Sequence, residues 1–151
     1  MIDIIELGNI KRSMTMKKLA SYGFTADDFQ LLVSDTLFRN KSIIDALTKF
    51  QQTNASVCNN IAKAATSCGC IKINTSKQDY SKGTTLFEMA ALSKTHIEGK
   101  LCEKCAENIE REMGTNLFYL TSLCSILDLN LYDIMLKESK RIETLGYYSL
   151  R

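Results

Sequence analysis

Ser42-Ile43-Ile44-Asp45-Ala46-Leu47-Thr48-Lys49-Phe50-Gln51-Gln52-Thr53-Asn54-Ala55-Ser56-Val57-Cys58-Asn59-Asn60-Ile61-Ala62-Lys63-Ala64-Ala65 is the stretch whose reading decides the fold. Its residues Ile43, Leu47, Phe50, Asn54, Val57, Ile61 and Ala65 step by three and four for about six turns, the spacing of one long helix packed lengthwise on another. Asn54 interrupts the apolar stripe amid Gln51, Gln52 and Thr53, and a polar residue on such a seam predicts a local break.

The same spacing runs through the chain on both sides, and the sequence contains no proline, so the fold class is all-α. Upstream, Ser13 caps a short helix that stops at Gly23. Thr25 and Asp28 then form a start signal for a helix burying Phe29, Leu32, Val33, Thr36 and Leu37, with a break near Arg39-Asn40. Downstream, Gly69 marks the exit from the long helix, Ile71-Lys72-Ile73 is a stub of strand, and Asn74 to Gly83 is a polar loop. Thr85 and Glu88 make a capping box for a helix carrying Leu86, Phe87, Met89 and Ala90. A further helix opens at Cys102 and turns Ile109, Met113, Leu117, Leu120, Cys124 and Leu127 inward. The last starts at Asn130, buries Leu131, Ile134, Met135, Ile142 and Leu145, and stops at Gly146. The expected organisation is one domain over 1–151: an N-terminal helical segment 1–40, then a helical core 41–151 that carries a small Cys-rich metal-binding insertion, 68–105.

At 151 residues, with 45% apolar and 24% charged residues, the chain has the composition of an ordinary soluble globule. The N-terminal residues Met1-Ile2-Asp3-Ile4-Ile5-Glu6 lack the pattern of a signal peptide. The greasiest run, Leu117 to Leu127, is broken by Thr121, Ser122 and Ser125, so the expectation is a cytoplasmic protein that does not enter a membrane. A formal net charge of +2 does not ask for nucleic acid or an anionic lipid surface. The cluster Lys11, Arg12, Lys17 and Lys18 reads as a solvated face.

Four of the six cysteines form two tight pairs, Cys68-Gly69-Cys70 and Cys102-Glu103-Lys104-Cys105. Each pair supplies two adjacent thiolates, and a fold that brings the pairs together makes a tetrahedral metal site. Cys102 and Cys105 sit one turn apart at a helix start, where free amides favour thiolate. A structural zinc bound by Cys68, Cys70, Cys102 and Cys105 is the leading expectation, with an iron–sulfur cluster, a redox pair or free thiols as alternatives. His96, the only histidine, is a candidate to replace one sulfur. Cys58 and Cys124 fall on apolar helical faces and read as buried small hydrophobes. A site filled by four thiolates has no open position for substrate, so function has to be sought elsewhere. No phosphate-binding glycine loop, serine-nucleophile elbow or zinc-protease motif is present.

The segment Glu112-Met113-Gly114-Thr115-Asn116-Leu117-Phe118-Tyr119-Leu120, followed by Leu123-Cys124 and Leu127-Asp128-Leu129-Asn130-Leu131-Tyr132-Asp133-Ile134-Met135, resembles the C-terminal helices of the MazG-like nucleotide pyrophosphohydrolases. That resemblance implies a MazG-like helical bundle, commonly oligomeric, in which magnesium held by acids on facing helices serves the cleavage of nucleoside triphosphates. The family's Glu-x-x-Asp pair falls on Glu112 and Thr115, so only the first acid is present, and Glu112 is the one candidate catalytic residue. The segment corresponding to the family's other acid cluster, Ala55 to Thr66, contains no carboxylate. Magnesium needs several hard oxygen ligands. The expectation is therefore a degenerate member: a non-catalytic nucleotide- or protein-binding regulatory protein, a homodimer or larger. The alternative is a divergent magnesium-dependent pyrophosphohydrolase that recruits acids from elsewhere.

Overall fold

The computed structural model describes residues 23–37, 41–78 and 85–146. The helix expected between Ser13 and Gly23, the basic cluster from Lys11 to Lys18 and the break at Arg39-Asn40 lie outside them, as does the end of the loop towards Gly83. The described residues are mostly helical: α1 (Ala26–Thr36), α2 (Ile43–Lys63), α3 (Leu86–Leu92), α4 (Glu103–Ile126) and α5 (Leu131–Leu145). The all-α expectation is modified by one short ribbon, β1 (Ile71–Ile73) against β2 (Ile97–Gly99).

Helix starts follow local chemistry. Thr25 and Thr85 each accept from the amide three residues on, and Asp28 and Glu88 each accept from the capping residue's own amide, which satisfies otherwise orphaned donors at both helix starts. Asn130 caps α5 by accepting from the Asp133 amide at 2.8 Å.

The spine is an antiparallel hairpin of α2 and α4. Cys68, just past the end of α2, lies beside Cys102 at the start of α4. Further along, Asn116 of α4 donates to the Phe50 carbonyl and to the Thr53 hydroxyl of α2. The seam is made of small residues: Ala46, Thr53 and Ala64 on one side, Thr121 and Ser122 on the other, all buried. Small side chains let helix backbones approach closely. The hydroxyls of Thr121 and Ser122 each donate at 2.8 Å to a carbonyl one turn back, so their burial leaves no polar group unpaired.

At the open end of the hairpin, α1 docks Val33 and Leu37 onto the core. Ser34 donates to Ser125, while Gln30 donates to the Leu129 carbonyl and accepts from the Leu131 amide, both at 2.7 Å. Gln30 thereby bridges the turn between α4 and α5, where the chain bends by 105°.

Three sequence expectations are corrected here. α2 runs unbroken through Asn54, which is exposed. The seam polar residue is its neighbour Thr53, paired with Asn116, so the helix has no reason to open. The buried stripe is accordingly rotated by one position, and Leu47 is left 44% exposed. On α4, Met113, Leu117, Leu120 and Leu127 are exposed rather than inward, and on α5 only Leu131 is buried. In both helices apolar spacing identifies a greasy face, but among the described residues that face is not turned to the core.

Candidate metal centre

Three local devices bring the four thiols together at the closed end of the hairpin. First, α2 widens into a single π-turn, Ala64–Cys68, which ends at Gly69 in the left-handed conformation (φ +71). Glycine meets that geometry without a Cβ penalty. Second, Cys70 leads into β1, which pairs antiparallel with β2, placing Ile71 opposite Gly99 and Ile73 opposite Ile97. Third, the ribbon returns the chain to Cys102, the N-cap of α4, with Cys105 one turn later. The π-turn, strand and helix contribute Ala64, Ile71 and Ile109 to one buried cluster, against which Cys70 and Cys105 pack.

The four sulfurs all lie within 4.8 Å of one another, and Cys68 Sγ is 3.7 Å from Cys102 Sγ. A tetrahedron of thiolates around one ion with metal–sulfur bonds of about 2.3 Å has edges of about 3.8 Å. The donor set therefore fits a single ion, and the four cysteines can hold a metal. Cys70 and Cys105 are half-buried, and Cys70 also reaches the Ala64 carbonyl at 3.6 Å. Cys68 and Cys102 face solvent. A cleft over them is flanked by Lys63, Lys104, Asn60 and Asn108, and two lysines there offset the net negative charge that four thiolates leave on a dication.

Before metal binds, protons are divided unequally. The Cys105 amide, then the Cys105 and Cys68 thiols, hold the Cys102 thiol down at about 7, as expected at a helix N-terminus. Cys105 is pushed up to about 12, chiefly by its hydrogen bond to Cys102, and Cys68 is raised, first of all by Cys102. Cys102 is thus partly thiolate at neutral pH, and the other three thiols would have to shed protons to ligate a metal.

Gly99 is a position supporting the thiol cluster that the sequence reading missed. It has φ +88, and a Cβ placed on it would lie 2.8 Å from the Cys70 carbonyl oxygen. The signal was a glycine shortly before the second cysteine pair, legible only once its strand partner is known. Gly99→Ala is expected to destabilise the protein by about 2 kcal/mol or more and to weaken metal binding by displacing Cys70. Thermal unfolding and competition with a chelator check both effects.

The other candidates behave differently. His96 does not join the thiols: it stands before β2 with φ 58, its carbonyl accepting from the Asn74 amide at 2.9 Å. Cys124 is buried as expected, whereas Cys58 is exposed, because the rotated seam carries it out of the hairpin. Glu112 is half-buried on α4 and lies 3.5 Å from its neighbour Arg111. Among the described residues, Glu112 belongs to no metal-ligating group of three, and the four cysteines form the one such cluster. No single helix there is long and apolar enough to cross a membrane.

Comparison of the chain with protein-family models, with curated proteins and with solved structures finds no match in any of the three.

Proposed function

We propose that this chain is a non-catalytic, MazG-like binding or regulatory module, its helical hairpin clamped by one structural zinc and its exposed apolar faces covered by a second copy of itself. The observation that carries the reading is the closed set of four thiols, with all sulfurs inside 4.8 Å. Such a set saturates a tetrahedral ion and leaves no position for substrate. The same crowding favours one ion over a four-iron cluster, which seats each thiolate on a different iron and spreads the sulfurs further apart. A magnesium-dependent pyrophosphohydrolase would need hard ligands around Glu112, and the described residues do not gather them there.

Two exposed apolar stripes support the second copy. On α5, Met135 is 56% and Ile142 49% exposed, and on α4, Leu117 is 45% exposed. A helix of fifteen residues exposed on nearly every side is marginal on its own. On α5, Met135 and Ile142 share their face with Glu138, which pairs with Arg141, and on α4 Glu110 lies about two turns before Leu117 on the same face. Both faces are largely apolar, so each can be buried against a second copy, as in a two-fold dimer. Such a surface suits a protein partner better than a nucleotide, whose phosphates ask for clustered cations.

Light scattering at micromolar concentration and moderate salt tests the assembly, and a dimer or larger is expected. Met135→Glu together with Ile142→Glu should shift it to monomer. A wild type that is already monomeric would remove the second copy from the reading.

A further inference from the structure

The four thiols divide into two kinds. Cys70 and Cys105 are held against the Ala64, Ile71 and Ile109 cluster, whereas Cys68 and Cys102 face solvent with their sulfurs 3.7 Å apart. Those two sulfurs come from opposite arms of the hairpin and line one open cleft, which Cys105 borders from its half-buried position and whose lysines Lys63 and Lys104 favour thiolate and draw in anions. A ligand set whose only role is structural gains nothing by leaving two sulfurs in an open, cationic cleft, since accessible thiolates are the ones that oxidants reach.

We propose that the Cys68–Cys102 pair is an oxidation site for peroxides, which exchanges the metal clamp for a disulfide. The Cys102 thiolate, at the helix N-terminus, attacks one peroxide oxygen. The O–O bond breaks, the leaving hydroxide takes a proton to become water, and a sulfenic acid remains on Cys102. The Cys68 thiolate then attacks that sulfur, the S–S bond forms and the S–O bond breaks, and the second hydroxide leaves as water after taking another proton. Two thiolates lose two electrons in total, one peroxide gains them, and two protons are consumed. The ion loses two of its four ligands and departs. The crosslink still ties α2 to α4, so the hairpin stays closed at its base while Cys70 and Cys105, released from the ion, each take up a further proton from solvent to become free thiols.

Metal departure rests on the zinc reading, but disulfide formation does not, and the experiment separates them. Zinc content of anaerobically purified Cys58→Ser protein is measured first; this variant removes an exposed bystander thiol. One equivalent of hydrogen peroxide is then added, zinc release is followed with a chromogenic chelator, and free thiols are alkylated before disulfides are mapped by peptide mass spectrometry. The expected result is about one zinc released per disulfide, a Cys68–Cys102 crosslink as the main product, and recovery of both zinc and thiols with dithiothreitol and added zinc. A zinc-free protein that still forms the Cys68–Cys102 crosslink would sink the zinc reading and leave the oxidation site standing. A Cys102–Cys105 or Cys68–Cys70 crosslink as main product, or zinc-bound thiols that survive peroxide unchanged, would overturn the proposal.

Discussion

Replacing Cys102 and Cys105 by serine should abolish zinc binding and lower the melting temperature by roughly 10 °C. The magnitude follows from what the clamp closes. Cys68 and Cys102 are 34 residues apart in sequence, and in the chain-entropy model tying the ends of such a loop is worth about 3–4 kcal/mol. Serine keeps the approximate size of cysteine but supplies no thiolate, so the ribbon and the π-turn lose their common anchor while the seam at Thr53 and Asn116 remains. Elemental analysis should find about one zinc per wild-type chain and none in the variant, and calorimetry should give the shift. A zinc-free wild type as stable as zinc-loaded protein would remove the clamp, and a brown protein with visible absorbance would assign the site to iron.

Nucleoside triphosphates with magnesium or manganese should yield little or no pyrophosphate. Hydrolysis by the resembled family's route needs metal to neutralise the triphosphate and to position water. With Thr115 where an aspartate is required, and no carboxylate between Ala55 and Thr66, the rate should fall by roughly three powers of ten or more. The Thr115 hydroxyl donates to the Arg111 carbonyl at 2.9 Å, so it is engaged with its own helix. Robust turnover that disappears in Glu112→Gln would establish the enzyme reading. Turnover indifferent to that change would belong to a contaminant or to another site.

The sequence made helix starts and thiol chemistry legible, because both depend on a few residues at short fixed spacing. Thr25 with Asp28, Thr85 with Glu88 and Asn130 at the head of α5 cap helices where their spacing places them, and the two cysteine pairs are gathered into one cluster. Helix faces were harder to read. Periodicity weights large apolar residues, but this seam is built from Ala46, Thr53, Ala64, Thr121 and Ser122. Thr121 and Ser122, read from sequence as interruptions of a greasy run, are completely buried. The large residues they displace, Leu47, Leu117 and Leu120, point away from the hairpin's core. The strand Ile97–Gly99 was not legible because three residues are too few to show alternation. The π-turn leaves no sequence mark of its own.

The small-residue seam and the thiol cluster together suggest an order of assembly. Paired positions along the hairpin grow steadily more distant in sequence, from Cys68 with Cys102 to Thr53 with Asn116, 63 residues apart. Contacts between distant residues form slowly, because a long stretch of chain must close before any contact repays it. A metal ion that gathered the four thiols early would perform the first closure, and every later pair would then lie only a turn or so beyond one already made. A hairpin closed first at its thiol end would zip towards α1, so on the zinc reading the supply of metal during synthesis would govern how fast the chain reaches its native state as well as how firmly it stays there.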